Sequence, residues 1–308
     1  METKEHRDGR TPGKLILIVL LLAAVIFLSV YWIQTRQEIK ALNEEYKKIL
    51  NRQEELKKEL SSLQKEYEET EKEIEIEKDI ETEIERLHES YHQGEIELER
   101  RVIEGETDLK IAYLTFDDGP YLLTDSYLDV LKEYDVLGTF FQLGKENEIY
   151  DDIYRRIRDE GHTMANHTYS HQIHDGIYQS TDAFIDDVLK NRRFLEDKVG
   201  VTTHLLRFPG GSSQARELKA PIVERLRDLG YGYADWNLES GDGKWIYLEA
   251  DEYRDAVLNN TNGRKILVVL LHDYCKGTLG ALPEIIEGLR DQGYVLLPLF
   301  YESTMVRK

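Results

Sequence analysis

Cysteine is almost absent from this 308-residue chain, where Cys275 stands alone. No disulfide can close within it, which fits either the cytosol or a disulfide-poor bacterial exterior. Proline is scarce as well, and between the Pro12-Gly13 pair and Gly94 there is neither Pro nor Gly. Both residues break helices, so that gap is what a long uninterrupted helix requires. Basic residues are outnumbered, 40 Lys and Arg against 60 Asp and Glu, for a net charge of −20. An acidic surface repels phosphate backbones, and no nucleic-acid partner is expected.

Residues 1–14 are polar and carry Lys4, Arg7, Arg10 and Lys14. Residues 15–33 hold no charge and a single Ser, a run that can cross a hydrocarbon core of about 30 Å as a helix. A cleaved signal peptide would have a shorter apolar core followed by small residues. Here the run ends in Tyr31-Trp32-Ile33, with an interfacial aromatic pair. The reading is an uncleaved transmembrane helix at 15–33 behind a cytoplasmic tail at 1–14. The positive-inside rule then makes the chain a single-pass protein of the cell membrane with everything after Arg36 outside the cytoplasm. From Ile39 a heptad follows, with Leu42, Ile49, Leu56 and Leu63 in one position and Ile39, Tyr46, Leu60 and Tyr67 in the other. Gln53 interrupts it, and the register loosens beyond Tyr67. Residues 34–93 are read as a coiled-coil stalk, a spacer and a route to a homodimer, with 94–107 as a linker.

Beyond Gly105 the heptads end. Apolar runs at 109–116, 138–143, 162–166, 204–208, 230–236, 265–271 and 294–299 read as strands, and helical stretches at 125–134, 148–160, 181–199, 220–229, 251–259 and 282–292 separate them. Such alternation argues a parallel sheet closed or nearly closed into a barrel, with functional groups at the C-terminal strand ends. The first strand ends in Thr115-Phe116-Asp117-Asp118-Gly119-Pro120. Taken alone, Asp-Asp-Gly-Pro could be a solvated turn. The third strand, however, is followed by His167-Thr168-Tyr169-Ser170-His171. Two imidazoles four residues apart share one face if the segment makes a helical turn. With a strand-end Asp they can grip one cation and leave its other positions open.

These two motifs, with Arg207-Phe208-Pro209-Gly210-Gly211, Ala234-Asp235-Trp236-Asn237 and Leu270-Leu271-His272-Asp273 in this order at strand ends, resemble the polysaccharide deacetylases. That family is also called the NodB-homology or carbohydrate esterase family 4 domain. The resemblance covers residues 109 to about 300 and suggests a membrane-anchored bacterial member whose catalytic domain is 108–308. It implies a distorted (β/α)7-type barrel, here preceded by the transmembrane helix and the long coiled-coil stalk. It also implies a divalent metal, zinc foremost and cobalt or another ion as alternatives, and hydrolytic removal of acetyl from N-acetylated sugars. By resemblance Asp118, His167 and His171 are the metal ligands, Asp117 is the base that activates water, and His272 is the acid that protonates the departing amine. Arg207 pairs with Asp117, and Asp235 is the carboxylate partner of His272. The backbone N–H of Gly210 serves the oxyanion, and Trp236 and Leu270 pack around the acetyl methyl.

Two positions depart from the family pattern. Many members carry a Tyr at the position of Gly210 and a further acidic residue at the position of Gly232, so a substrate-contacting ring and one source of His272 tuning are missing, with Asp273 a second contributor to that tuning. The substrate expected is an extracellular polysaccharide, foremost the N-acetylglucosamine of peptidoglycan, with N-acetylmuramic acid or chitooligosaccharides as alternatives. Two rivals stand beside this reading. One is a two-His-one-carboxylate iron oxygenase, which belongs to double-sheet β folds; the other is a non-catalytic stalked wall-binding scaffold.

Overall fold

The structure, a computed structural model, describes residues 92–244, 247–303 and 305–308. The chain divides into two compact units between residues 83 and 84, and every described residue belongs to the second. Residues 92–103, in the stretch read as stalk end and linker, are helical. The elements that follow are β1 (Lys110–Gly119), α1 (Thr124–Glu133), β2 (Thr139–Gln142), α2 (Asp151–Asp159), β3 (Thr163–Asn166) and α3 (Thr181–Val199). After them come β4 (Leu205–Leu206), α4 (Lys219–Asp228), β5 (Gly232–Tyr233), β6 (Leu238–Glu239), α5 (Ala250–Leu258), β7 (Ile266–His272), α6 (Lys276–Asp291) and β8 (Tyr294–Leu296).

All pairings are parallel, in the order β5-β4-β3-β2-β1-β7-β6, and β8 pairs the N-terminal end of β1. β1 is central and long, and it is buried on both faces, as a parallel strand covered by helices must be. Its even-numbered residues Ala112, Leu114 and Phe116 join Phe140, Leu267, Val269 and Leu271 beneath α1, α5 and α6. Its odd-numbered Ile111 and Tyr113 turn inward with Phe141, Ala165, Leu205 and Val268. That inner core also takes Val102 from the 92–103 segment, and the Tyr113 hydroxyl donates to Glu99 Oε1 at 2.8 Å. Higher on the same inward face the residues become polar: Thr115, Asp117 and, opposite Asp117 across the β1–β7 pair, His272. The site is therefore the top of the sheet's own interior.

Several expectations are corrected. The sheet does not close into a (β/α)7-type barrel: it is a distorted half-barrel whose end strands, β5 and β6, are two residues each and do not pair with one another. Strands this short carry too few hydrogen bonds to seal a closed ring. No helix among the described residues is long and apolar enough to cross a membrane. The described helices bury one face on the sheet and keep the other polar, as α2 does with Ile153, Tyr154 and Ile157. A lipid-facing helix would be apolar all round. The transmembrane helix at 15–33 lies outside the described residues, as does the coiled-coil stalk up to residue 91. Nothing among the described residues supports membrane anchoring, the single-pass location with an extracellular domain or the coiled-coil homodimer, and these expectations are withdrawn.

Candidate metal centre and active site

At the top of β1 the register against β2 slips between Asp117 and Gly119, and Asp118 takes a φ of 72°. An irregularity of this kind re-aims side chains. Asp117 keeps the inward face of the strand, whereas Asp118 turns toward the histidine loop. Gly119 has no room for a side chain: a Cβ would lie 2.4 Å from Asp273 Oδ2 and 2.7 Å from Gln142 Nε2.

The His167–His171 segment is a loop, not a helical turn. Thr168 and His171 both have positive φ, 66° and 55°, and the loop is tied from outside. Thr168 N donates to Asn166 Oδ1, while Tyr169 N and Ser170 N both donate to Asp187 Oδ1 of α3. His167 Nδ1 lies 2.9 Å from the Arg207 carbonyl oxygen. A carbonyl only accepts, so Nδ1 carries the proton and Nε2 keeps its lone pair. That Nε2 faces Asp118 Oδ1 at 3.3 Å, and His171 Nε2 faces the same oxygen at 3.1 Å.

One ligand atom from each of Asp118, His167 and His171 lies within 4.8 Å of the others. Burial, together with His167, lowers the His171 imidazole, leaving it neutral near pH 7. Burial would raise the Asp118 carboxyl, but His167, His171 and His272 hold it well below the usual carboxylate range. Asp118 Oδ1 is buried without a hydrogen-bond donor. A carboxylate and imidazole lone pairs aimed at one point fit a divalent cation such as Zn2+ or Co2+.

Arg207 is fully buried, and its NH1 donates to Asp117 Oδ1 at 2.8 Å and to Thr115 Oγ1 at 2.7 Å. Its Nε and NH2 donate to the carbonyls of Ala234 and Asp235, and its plane lies over Phe141, 4.0 Å from the ring centroid. Asp117 Oδ2 faces His167 Nε2 at 3.7 Å, so one carboxylate oxygen is bound to Arg207 and the other points at the metal ligands.

His272 closes the site with its Nε2 3.9 Å from Asp118 Oδ2. Its partner is Asp242, not Asp235: Nδ1 lies 2.7 Å from Asp242 Oδ1, and His272 N and Thr278 Oγ1 both donate to Asp242 Oδ2. Burial lowers the imidazole, but Asp242, joined by Asp117 and Asp118, outweighs it and pushes His272 up to about 9. Asp235 instead accepts from Ser212 N, Ser212 Oγ and Lys308 N. It therefore fastens the Phe208–Gly211 turn, closed by Gly211 N donating to the Phe208 carbonyl, to the end of β5. Asp273 gives its carboxylate to Thr124 Oγ1, and burial pushes it up to about 7. The sequence reading missed Asp242; its one signal was an acid between glycines in Ser240-Gly241-Asp242-Gly243. Gly210 lies in the turn that Asp235 fastens, with φ 75°. Trp236 follows β5, its Nε1 donating to Glu239, and Leu270 faces inward on β7 opposite Thr115.

The family model for polysaccharide deacetylase matches residues 104–234. YheN of Bacillus subtilis (strain 168) is 35% identical over 203 residues, which cover 64% of this chain and 69% of that protein. A peptidoglycan-N-acetylglucosamine deacetylase of Bacillus cereus is 32% identical over 202 residues, covering 63% of this chain and 70% of that one. Among solved structures, the catalytic domain of the peptidoglycan N-acetylglucosamine deacetylase of Eubacterium rectale superposes with a TM-score of 0.61 at 33% identity, covering 65% of this chain and 93% of that domain. The chain belongs to the polysaccharide deacetylase family. It is a hydrolase that removes acetyl groups from N-acetylated sugars with the help of a divalent metal.

Proposed function

We propose that the substrate is peptidoglycan and that the acetyl group leaves N-acetylglucosamine. The relatives from Bacillus cereus and Eubacterium rectale that act on this sugar support the reading. The observation that carries the chemistry is the register that sets Asp117 directly opposite His272 on β1 and β7, with Asp117 3.7 Å from the ligand His167 and His272 3.9 Å from the ligand Asp118. A divalent cation held by those three residues supplies a Lewis acid for the acetamide carbonyl and lowers the pKa of water. Asp117 is the base: with Oδ1 held by Arg207, Oδ2 takes the proton of the attacking water. His272 is the acid: with Nδ1 committed to Asp242, Nε2 delivers a proton to the departing amine nitrogen. The backbone N–H of Gly210 supports the oxyanion, while Trp236 and Leu270 border the acetyl methyl. The parallel half-barrel is unlike the double-sheet β folds of iron oxygenases. The Asp242–His272 pair, which a bare scaffold would not need, weighs against a non-catalytic role.

The test is acetate release by the purified full chain from whole peptidoglycan, followed by analysis of the digested products. Free amines on glucosamine residues are expected. Free amines confined to muramic acid would overturn the choice of sugar, and activity on chitooligosaccharides without any on peptidoglycan would overturn the choice of polymer.

A further inference from the structure

Two residues past His272, Tyr274 places its ring 5.2 Å from the imidazole, centroid to centroid, with the planes tilted by 42°. Tyr121, just beyond the Asp117-Asp118-Gly119-Pro120 turn, meets Tyr274 edge-on at 5.2 Å. Tyr121 is held from its other side: the Lys145 ammonium stands 3.3 Å from the ring centroid and donates to the Pro120 carbonyl at 2.8 Å. An edge-to-face pair with a cation on its outer ring is a fixed arrangement. Yet Tyr274 is 37% exposed, and Leu122 beside Tyr121 is 64% exposed. Apolar groups left open together beside a catalytic centre mark a ligand surface.

The chemistry of the reaction says what must lie there. The nitrogen that His272 protonates is bonded directly to a ring carbon of the sugar, so that sugar ring sits against the open side of the imidazole. The Nδ1 edge is taken by Asp242. Gly243 closes over the ring so tightly that a Cβ there would come within 2.6 Å of Cε1. Asp117 and Asp118 occupy the metal side. Among the described residues, the exposed ring that adjoins His272 is that of Tyr274, and a pyranose presents a face of C–H bonds that packs on an aromatic face.

We propose that Tyr274, braced by Tyr121 and Lys145, is the platform on which the sugar bearing the scissile acetamide stacks. This rests on His272 being the acid that faces the amine. Steady-state kinetics of the zinc-loaded full chain on N-acetylglucosamine oligomers compare wild type with Tyr274→Ala and Tyr274→Phe. Loss of the stack should raise KM about three- to tenfold in Tyr274→Ala, with kcat and the alkaline limb of its pH profile little changed. Tyr274→Phe, which keeps the face and loses only the hydroxyl, should stay near wild type. A fall in kcat with a displaced alkaline limb would mean that the ring merely props His272 and would overturn the proposal, as would an unchanged KM. If wild type ignores these oligomers, the same comparison on peptidoglycan decides. The wild-type substrate profile thus judges the polymer, and the variants judge the platform. Replacing His272 with Gln judges the acid on which the platform depends.

Discussion

Asp242 decides how far up the pH scale His272 stays protonated. Burial disfavours the imidazolium, and the carboxylate 2.7 Å away more than restores it. Asp242→Asn keeps an oxygen that can accept from Nδ1 but removes the charge. The alkaline limb of kcat should therefore move down by about a unit or more, measured with both proteins in the same metal state, since a bound cation lowers both values. Stability gives a second readout. The folded His272 lies above its unfolded value of 6.5, so the contribution of the pair is complete below that pH and is lost as pH rises through about 9. Urea midpoints of the metal-free chain should fall more steeply between pH 6.5 and 9 in wild type than in Asp242→Asn. Resemblance pointed to Asp235, the acid just before Trp236, whereas Asp242 follows the next short strand. What separates them is β6, which lies against β7 with Glu239 opposite Leu270 and so delivers the 240–243 turn to His272. A two-residue strand has no periodicity to read.

The elements that were legible are those whose burial repeats. β1 and β7 are covered on both faces, which writes continuous apolar runs into the sequence. α6 was read as 282–292; the turns before it hold Gly277 and Gly280, which are poor helix formers. In the fold it starts at Lys276, and its glycines let α5 come close: a Cβ at Gly277 would meet Tyr253 at 2.4 Å, and one at Gly288 would meet Leu258 at 2.4 Å. Tertiary packing overrides propensity there. The His167–His171 loop was legible as a ligand pair but not as a conformation, since its positive φ values are imposed by a distant helix. Asp187 of α3 accepts the Tyr169 and Ser170 N–H groups with one oxygen. Asp187→Ala leaves both donors unpaired and frees His171, while His167 keeps its Arg207 carbonyl. Metal affinity, read by competition with a chromophoric chelator, should fall about 10- to 100-fold, with Asp187→Asn close to wild type. Equal affinity in Asp187→Ala would show that the loop holds its shape without α3.

At the scale of the whole molecule, the half-barrel brings together residues from five strand ends: Asp117 and Asp118 at the end of β1, His167 and His171 after β3, Arg207 after β4, Asp242 after β6 and His272 at the end of β7. No pair of these elements holds the site alone, so a cation bound there ties the top of the sheet together. A ligand that binds only the folded state stabilises it by about 2.7 kcal/mol when present at a hundredfold over its Kd. For a domain of this size that is about 5 to 10 °C in Tm. Stripping the full chain with a chelator should therefore lower Tm by that amount and stop acetate release, and Zn2+ or Co2+ should restore both. The two roles assigned to neighbouring aspartates and histidines then separate. Asp117→Asn should keep the metal-dependent rise in Tm and lose most turnover, because its carboxylate takes a proton and is not a ligand. His171→Ala should lose the rise and the turnover together. If Asp117→Asn also loses the rise, Asp117 helps to hold the metal, and the division of labour between Asp117 and Asp118 is wrong.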